Sequence, residues 1–152
     1  AEPHVLTGRL IARDSASLSE LDAVFLSVED LRVAGKPEIL DELKRRVAWV
    51  ALTDGVNGAT VFLKNEDRAF HVGIRKAAAV DPTGAGDAFA SACLFGLASG
   101  MRAEDAARLG AATASLIVEM PGARAADNLG AAFDLMMAIP VRPVPYLPHR
   151  SR

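Results

Sequence analysis

Cysteine is almost absent from this chain: Cys93 stands alone among 152 residues. A single cysteine excludes an internal disulfide framework and a four-cysteine zinc site. His4, His71 and His149 lie too far apart to give metal-ligand spacing. Net charge is nearly absent too, −2 at pH 7 with a pI near 5.9. No basic field is therefore available to draw nucleic acid or an anionic membrane. No apolar run approaches the roughly 18 residues of a membrane helix. The opening Ala1-Glu2-Pro3-His4 lacks the basic-then-apolar order of a signal peptide. The phosphate-binding patterns GxxxxGK[ST] and GxGxxG are both missing. What is present is apolar material: 51% hydrophobic residues and a mean hydropathy of +0.20. That composition argues against disorder and can fill one sizeable core. The expectation is a soluble, cytoplasmic globular chain, one domain or part of one, without nucleic-acid or membrane partners.

His4 to Ser19 mixes apolar and charged residues without a clean period and reads as an extended lead-in. Ala23 to Ser27 (AVFLS) is a short apolar run suited to a strand buried on both faces. Glu29 to Val33 begins a helical turn, and a better helix starts at Pro37. There Ile39, Leu40, Leu43 and Val47 recur at helical spacing, with Asp41, Glu42, Lys44, Arg45 and Arg46 outside. A second buried strand is expected over Ala48 to Thr53, with Trp49 in the core, so strand, helix and strand form a βαβ unit. Turn pairs at Asp54-Gly55 and Asn57-Gly58 precede strands over Ala59 to Lys64 and Arg68 to Ile74, an antiparallel extension of the sheet. Three helices are expected beyond Val80: Ala85 to Ala98, nearly buried, then Ala103 to Val118 and Leu129 to Ala138. The proline- and arginine-rich residues 140–152 read as a surface tail behind a domain of residues 1–139.

The most informative segment is Val80 to Ala90, VDPTGAGDAFA. Pro82 forbids helix there, and Gly84 and Gly86 remove side chains where the backbone turns. A helix then begins, and its first N–H groups have no intrahelical partner. Backed by the positive end of the dipole, they form a site for a phosphoryl group. Asp87, in the first turn, suits a general base that takes the proton of an attacking hydroxyl. The alternative is that Asp87 caps the helix and complements its dipole.

DPTGAGDAFA resembles the second signature of the PfkB (ribokinase-like) carbohydrate kinases, D-T-x-G-A-G-D, with Pro82 in place of the usual threonine. The resemblance covers about Leu21 to Ala123. It implies an α/β fold, a Rossmann-like (ribokinase-like) three-layer sandwich of which this chain is the C-terminal portion. It also implies transfer of the ATP γ-phosphate to a sugar or nucleoside hydroxyl. In that reading Asp87 is the base, and Gly84, Ala85 and Gly86 form the anion hole. Thr53, Gly55 and Gly58 (TDGVNG) match the family's T-x-G-x-x-G turn at the nucleotide, though the segment also reads as a plain inter-strand turn. Ala111 falls near the adenine. Asp81, Thr83 and the carbonyls of Ile117, Met120 and Gly122 stand where family members hold a monovalent cation such as K+. The family's N-x-x-E, which organises Mg2+ through water, is S-V-E-D here, with Ser27 and Asp30 at its ends. The same pair reads equally as a helix capping box.

Family members are usually much longer, and no counterpart of their first Gly-rich signature occurs in Ala1 to Glu20. The chain is therefore expected to be the nucleotide and catalytic half without the substrate half, as a fragment or a natural truncation. Buried-type strands without neighbours leave a sheet edge exposed, so self-association or a covering partner chain is expected. Two other functions stay open at this stage. One is a non-catalytic nucleotide-binding or interaction module derived from such a kinase. The other is a flavodoxin-like binding protein unrelated to phosphoryl transfer.

Overall fold

The computed structural model describes residues 21–35, 38–75, 81–119 and 129–146. Among these, five strands form one mixed sheet in the order β1-β2-β3-β4-β5. β1 (Ala23–Ser27) and β2 (Trp49–Thr53) are parallel, with Ala23 opposite Trp49 and Ser27 opposite Thr53. β3 (Ala59–Leu63) pairs antiparallel with β2, placing Thr53 opposite Ala59. β4 (Arg68–Val72) and β5 (Val141–Val144) follow. The helices are α1 (Val28–Ala34), α2 (Glu38–Arg46), α3 (Ala85–Ala98), α4 (Ala103–Val118) and α5 (Leu129–Met136).

The chain divides into two compact units: Ala1–Gly55 with Ala59–His71 and Pro143–Arg152, and Val56–Gly58 with Val72–Arg142. In the first, Val24, Leu26 and Val50 pack with Leu21, Leu43 and Val47. Leu43 and Val47 are fully buried, as their helical spacing with Ile39 and Leu40 requires. Burying a leucine so completely is worth about 1.5–3 kcal/mol. α2 places Glu38 and Asp41 in its first turn and Lys44, Arg45 and Arg46 in its last, which suits the helix dipole. Lys44 also pairs with Asp41 at 2.7 Å and sits 5.2 Å from the Phe62 ring centre. Trp49 is buried and meets Phe70 edge to face at 6.4 Å.

The second unit is built on α3 and α4. Phe89, Ala92, Cys93 and Gly96 line the buried face of α3, and Ala106, Leu109 and Gly110 that of α4. Gly96 is needed for this approach, because a Cβ there would lie 3.0 Å from Ala106 Cα. The sequence predicts α3 nearly buried, but only one face is. Phe95 is 47% exposed and meets Phe133 of α5 edge to face at 6.4 Å. Few charges on a helix mark small residues that allow close packing as readily as burial on every side.

The expected tail also begins differently. Residues 141–144 are strand, entered through a 2.9 Å bond from Gly73 N–H to Pro140 O. Pro143 lacks an N–H, and β5 is the last strand in the sheet order, where a proline can be accommodated. Tyr146 just beyond it donates its hydroxyl to Lys44 O at 3.2 Å. The expected lead-in over His4 to Ser19 lies outside the described residues.

Candidate active site

Four of the expected site residues fall in the first unit. Ser27 ends β1 opposite Thr53, which ends β2, and the Thr53 hydroxyl donates to Leu26 O at 3.3 Å. Ser27 is also the N-cap of α1. Its Oγ accepts from Asp30 N–H at 3.0 Å, and Asp30 Oδ2 accepts from Ser27 N–H at 2.9 Å. The structure thus contains the reciprocal capping box, one of the two roles the S-V-E-D spacing allows. The Asp30 carboxylate remains exposed. A carboxylate has about four lone-pair sites, so the cap leaves it able to accept from the water shell of a magnesium ion. Gly55 follows Thr53 at φ +49, in a short 3-10 turn over Gly55–Asn57.

Gly58 belongs to the second unit. It has φ +90, and a Cβ there would overlap Val72 O and lie 3.1 Å from Gly73 Cα. Its glycine is therefore fixed by the fold itself, whereas Gly55 has open space around it.

The glycine loop is built by local bonds. Asp81 Oδ1 accepts from Thr83 N–H at 2.9 Å. The Thr83 side chain and this backbone bond hold the Asp81 carboxyl below its ordinary value. Ala85 N–H donates to Pro82 O at 3.2 Å, and Ala88 N–H makes the first helical bond, to Gly84 O at 2.9 Å. Gly84 is the N-cap of α3 in the left-handed region, φ +82, and has no side chain with which to cap. The contrast with α1 is direct: there a full capping box covers the first amides, and here none does. Of Gly84, Ala85 and Gly86, expected to form an anion hole, one amide is engaged within the loop. The Ala85 amide already serves Pro82 O, so the first-turn donors without a helical carbonyl are those of Gly86 and Asp87. Sequence reasoning missed the Asp87 amide because it treated that residue through its side chain.

Gly86 has neither a positive φ nor any neighbour within 4 Å of an added Cβ. Nothing in the fold demands glycine there, and its effect is to leave the amide unshielded. The Asp87 side chain is exposed, and among the described residues no hydrogen bond or ion pair engages it. It makes no capping bond of the kind Asp30 makes on α1. A free carboxylate one residue from an uncapped amide can accept a proton beside a bound anion.

The remaining candidates are graded by placement. Asp81 N–H donates to Val118 O at 3.2 Å, which brings Asp81 beside Ile117 at the end of α4. Arg75 and Glu119 form an ion pair at the same helix end. Met120 and Gly122 lie outside the described residues. Ala111 is 3% exposed within α4, so its methyl forms part of the packed interior rather than a free surface. Among the described residues no cluster of three His, Cys, Asp or Glu side chains could hold a metal ion directly.

This mixed sheet with its helices is the ribokinase-like α/β fold. The structure of Arabidopsis thaliana ribokinase complexed with ribose and ATP superposes with a TM-score of 0.72 at 26% identity, over 88% of this chain and 47% of that one. Residues 14–129 match the sequence profile of the pfkB family carbohydrate kinases, and the chain belongs to that family. Acarbose 7(IV)-phosphotransferase of an Actinoplanes species is 35% identical over 108 residues, 68% of this chain and 36% of that protein. Inositol 3-kinase of Arabidopsis thaliana is 31% identical over 116 residues, 76% of this chain and 27% of that protein. The chain therefore spans between about a quarter and about a third of the length of these curated relatives, and about half of the ribokinase chain.

Proposed function

We propose that this chain carries the nucleotide-binding and catalytic part of a kinase that moves the γ-phosphoryl group of ATP to a hydroxyl of a sugar or nucleoside. The observation that carries the reading is the unengaged Asp87 carboxylate beside the uncapped first turn of α3, in a chain of the pfkB family. In the reaction the acceptor oxygen bonds to the γ-phosphorus while the bond from that phosphorus to the β–γ bridging oxygen breaks. Asp87 takes the hydroxyl proton and ADP leaves. The Gly86 and Asp87 amides steady the negative charge in flight, where fixed dipoles are worth most. Ala85 joins them if its weak bond to Pro82 O opens.

Thr53, Gly55 and Gly58 serve the nucleotide in this reading, and Ala111 backs the adenine from inside α4. Ser27 and Asp30 would hold Mg2+ through its waters. When bound, the ion neutralises phosphate charge. Asp81, Thr83 and the carbonyls of Ile117, Met120 and Gly122 would hold a monovalent cation such as K+. The acceptor class is supported by the relatives' own names and by the ribokinase held with ribose and ATP. Self-association or a partner chain and a cytoplasmic location belong to the same proposal. Among the described residues no helix is long and apolar enough to cross a membrane.

Calorimetry of the 152-residue chain with ATP and Mg2+, with its solution mass determined alongside, tests the reading. Binding by a folded chain is expected. A folded chain without nucleotide affinity would overturn it in favour of a non-catalytic interaction module.

A further inference from the structure

We propose that Gly110, in the middle of α4, is a positioning residue that sets where the first turn of α3 stands. The inference rests on the kinase reading of that turn for its functional consequence, but not for its geometry. Glycine inside a helix is about 1 kcal/mol less favourable than alanine, so its presence at a buried mid-helix position needs a reason. The reason is on α3. A Cβ at Gly110 would overlap Cys93 Sγ, lie 2.8 Å from the Phe89 carbonyl oxygen and lie 3.0 Å from Phe89 Cδ2. Cys93 and Phe89 are both buried. The thiol and the ring are side chains, but the Phe89 carbonyl is main chain and can yield only if α3 moves.

Phe89 stands two residues beyond Asp87, and the bond from Ala88 N–H to Gly84 O ties this stretch to the glycine loop. At the other end α3 is pinned by Gly96, where a Cβ would lie 3.0 Å from Ala106 Cα. A methyl at position 110 falls short of ordinary 3.4 Å contact with the Phe89 oxygen by about 0.6 Å. The push acts seven residues from the Gly96 pivot and Asp87 lies nine residues from it. At 1.5 Å rise per residue the lever carries Asp87 about 0.8 Å. Misplacement of a reacting group by about 1 Å is enough to cost on the order of 100-fold in rate. One missing methyl on α4 thus fixes the place of the proton acceptor and of the amides beside it.

The test uses the ligand-free, 15N-labelled chain first. Gly110→Ala is expected to move the amide resonances of Gly84 to Asp87. Gly130→Ala, where nothing lies within 4 Å of the new Cβ, is expected to leave them in place. Resonance changes confined to α4 around position 110 would overturn the proposal. Should Gly110→Ala fail to fold, Cys93→Ala with Gly110→Ala removes the sulfur overlap and keeps the push on the Phe89 carbonyl. Transfer of label from γ-32P-ATP to an acceptor hydroxyl then reads the consequence. The transfer rate should fall about 10- to 100-fold in both variants, with ATP affinity unchanged. Weaker ATP binding with the transfer rate per bound ATP unchanged would reduce Gly110 to a packing residue. A wild-type chain without nucleotide affinity counts against the kinase reading, and the amide resonances still decide the positioning.

Discussion

Gly55 and Gly58 lie three residues apart in one turn, both with positive φ, yet the structure predicts very different responses to alanine. At Gly55, φ +49, an added Cβ meets nothing within 4 Å. The cost is the left-handed backbone alone, about 1–2 kcal/mol. Lost unfolded-chain freedom offsets about 0.4–1 kcal/mol of it. The net loss at Gly55 should be about 1 kcal/mol. At Gly58, φ +90, the same methyl overlaps Val72 O and crowds Gly73 Cα and C at 3.1 and 3.3 Å. All three atoms are main chain, so no rotamer relieves the contact, and overpacking adds about 1–3 kcal/mol. Added to the same net backbone cost, the total for Gly58→Ala is about 2–4 kcal/mol. At about 2–4 °C per kcal/mol for a chain of this size, Gly55→Ala lowers Tm by no more than about 4 °C. Gly58→Ala lowers it by about 4–16 °C on the same scale. Thermal melts of the two variants settle the matter. Equal shifts, or a larger one at Gly55, would refute the reasoning.

Other predictions concern single bonds. Ser27→Ala and Asp30→Ala should each cost about 1 kcal/mol, because each breaks the reciprocal cap on α1. In urea melts the double variant should lose less than the sum, and strict additivity would mean the two bonds are not one unit. The Asp81 carboxyl, held below 3.8 first by the Thr83 side chain and then by its N–H, stabilises the loop above that pH. The contribution is lost as pH falls through the lowered folded value. An NMR titration should find its midpoint below 3.8, and Thr83→Ala should raise it; an unchanged midpoint removes the hydroxyl as the cause. Burial pushes the Cys93 thiol well above its ordinary range. Iodoacetamide at pH 8 should therefore label it only after unfolding, whereas labelling of the native chain at a free-thiol rate would contradict its place against α4.

Much of the fold was legible because its elements are bounded by strong local signals. The β1 run AVFLS and the helices of Ala85–Ala98 and Ala103–Val118 lie where apolar content and flanking turn residues put them. Residues 141–144 were not legible. Pro140 and Pro143 read as tail chemistry, and only the sheet order reveals an edge strand that tolerates them. The near-complete burial expected of α3 failed for a related reason: helix-to-helix approach through Gly96 and Gly110 is a tertiary fact that composition cannot display. At the site, the glycine loop was readable from spacing. The occupied Ala85 amide was not, since it depends on how the Pro82 carbonyl points. The Ser27–Asp30 pair carried two meanings in sequence, and hydrogen bonds gave it one of them.

The central claim is that Asp87 accepts the proton during phosphoryl transfer. Its most direct test follows label from γ-32P-ATP into a panel of sugars and nucleosides, comparing the wild-type chain with Asp87→Asn. The account predicts transfer to at least one acceptor by the wild type. It predicts about a 10²- to 10⁴-fold loss in Asp87→Asn, with ATP affinity nearly unchanged. Transfer that survives the substitution, or a wild-type chain that binds ATP and labels no acceptor, would contradict it.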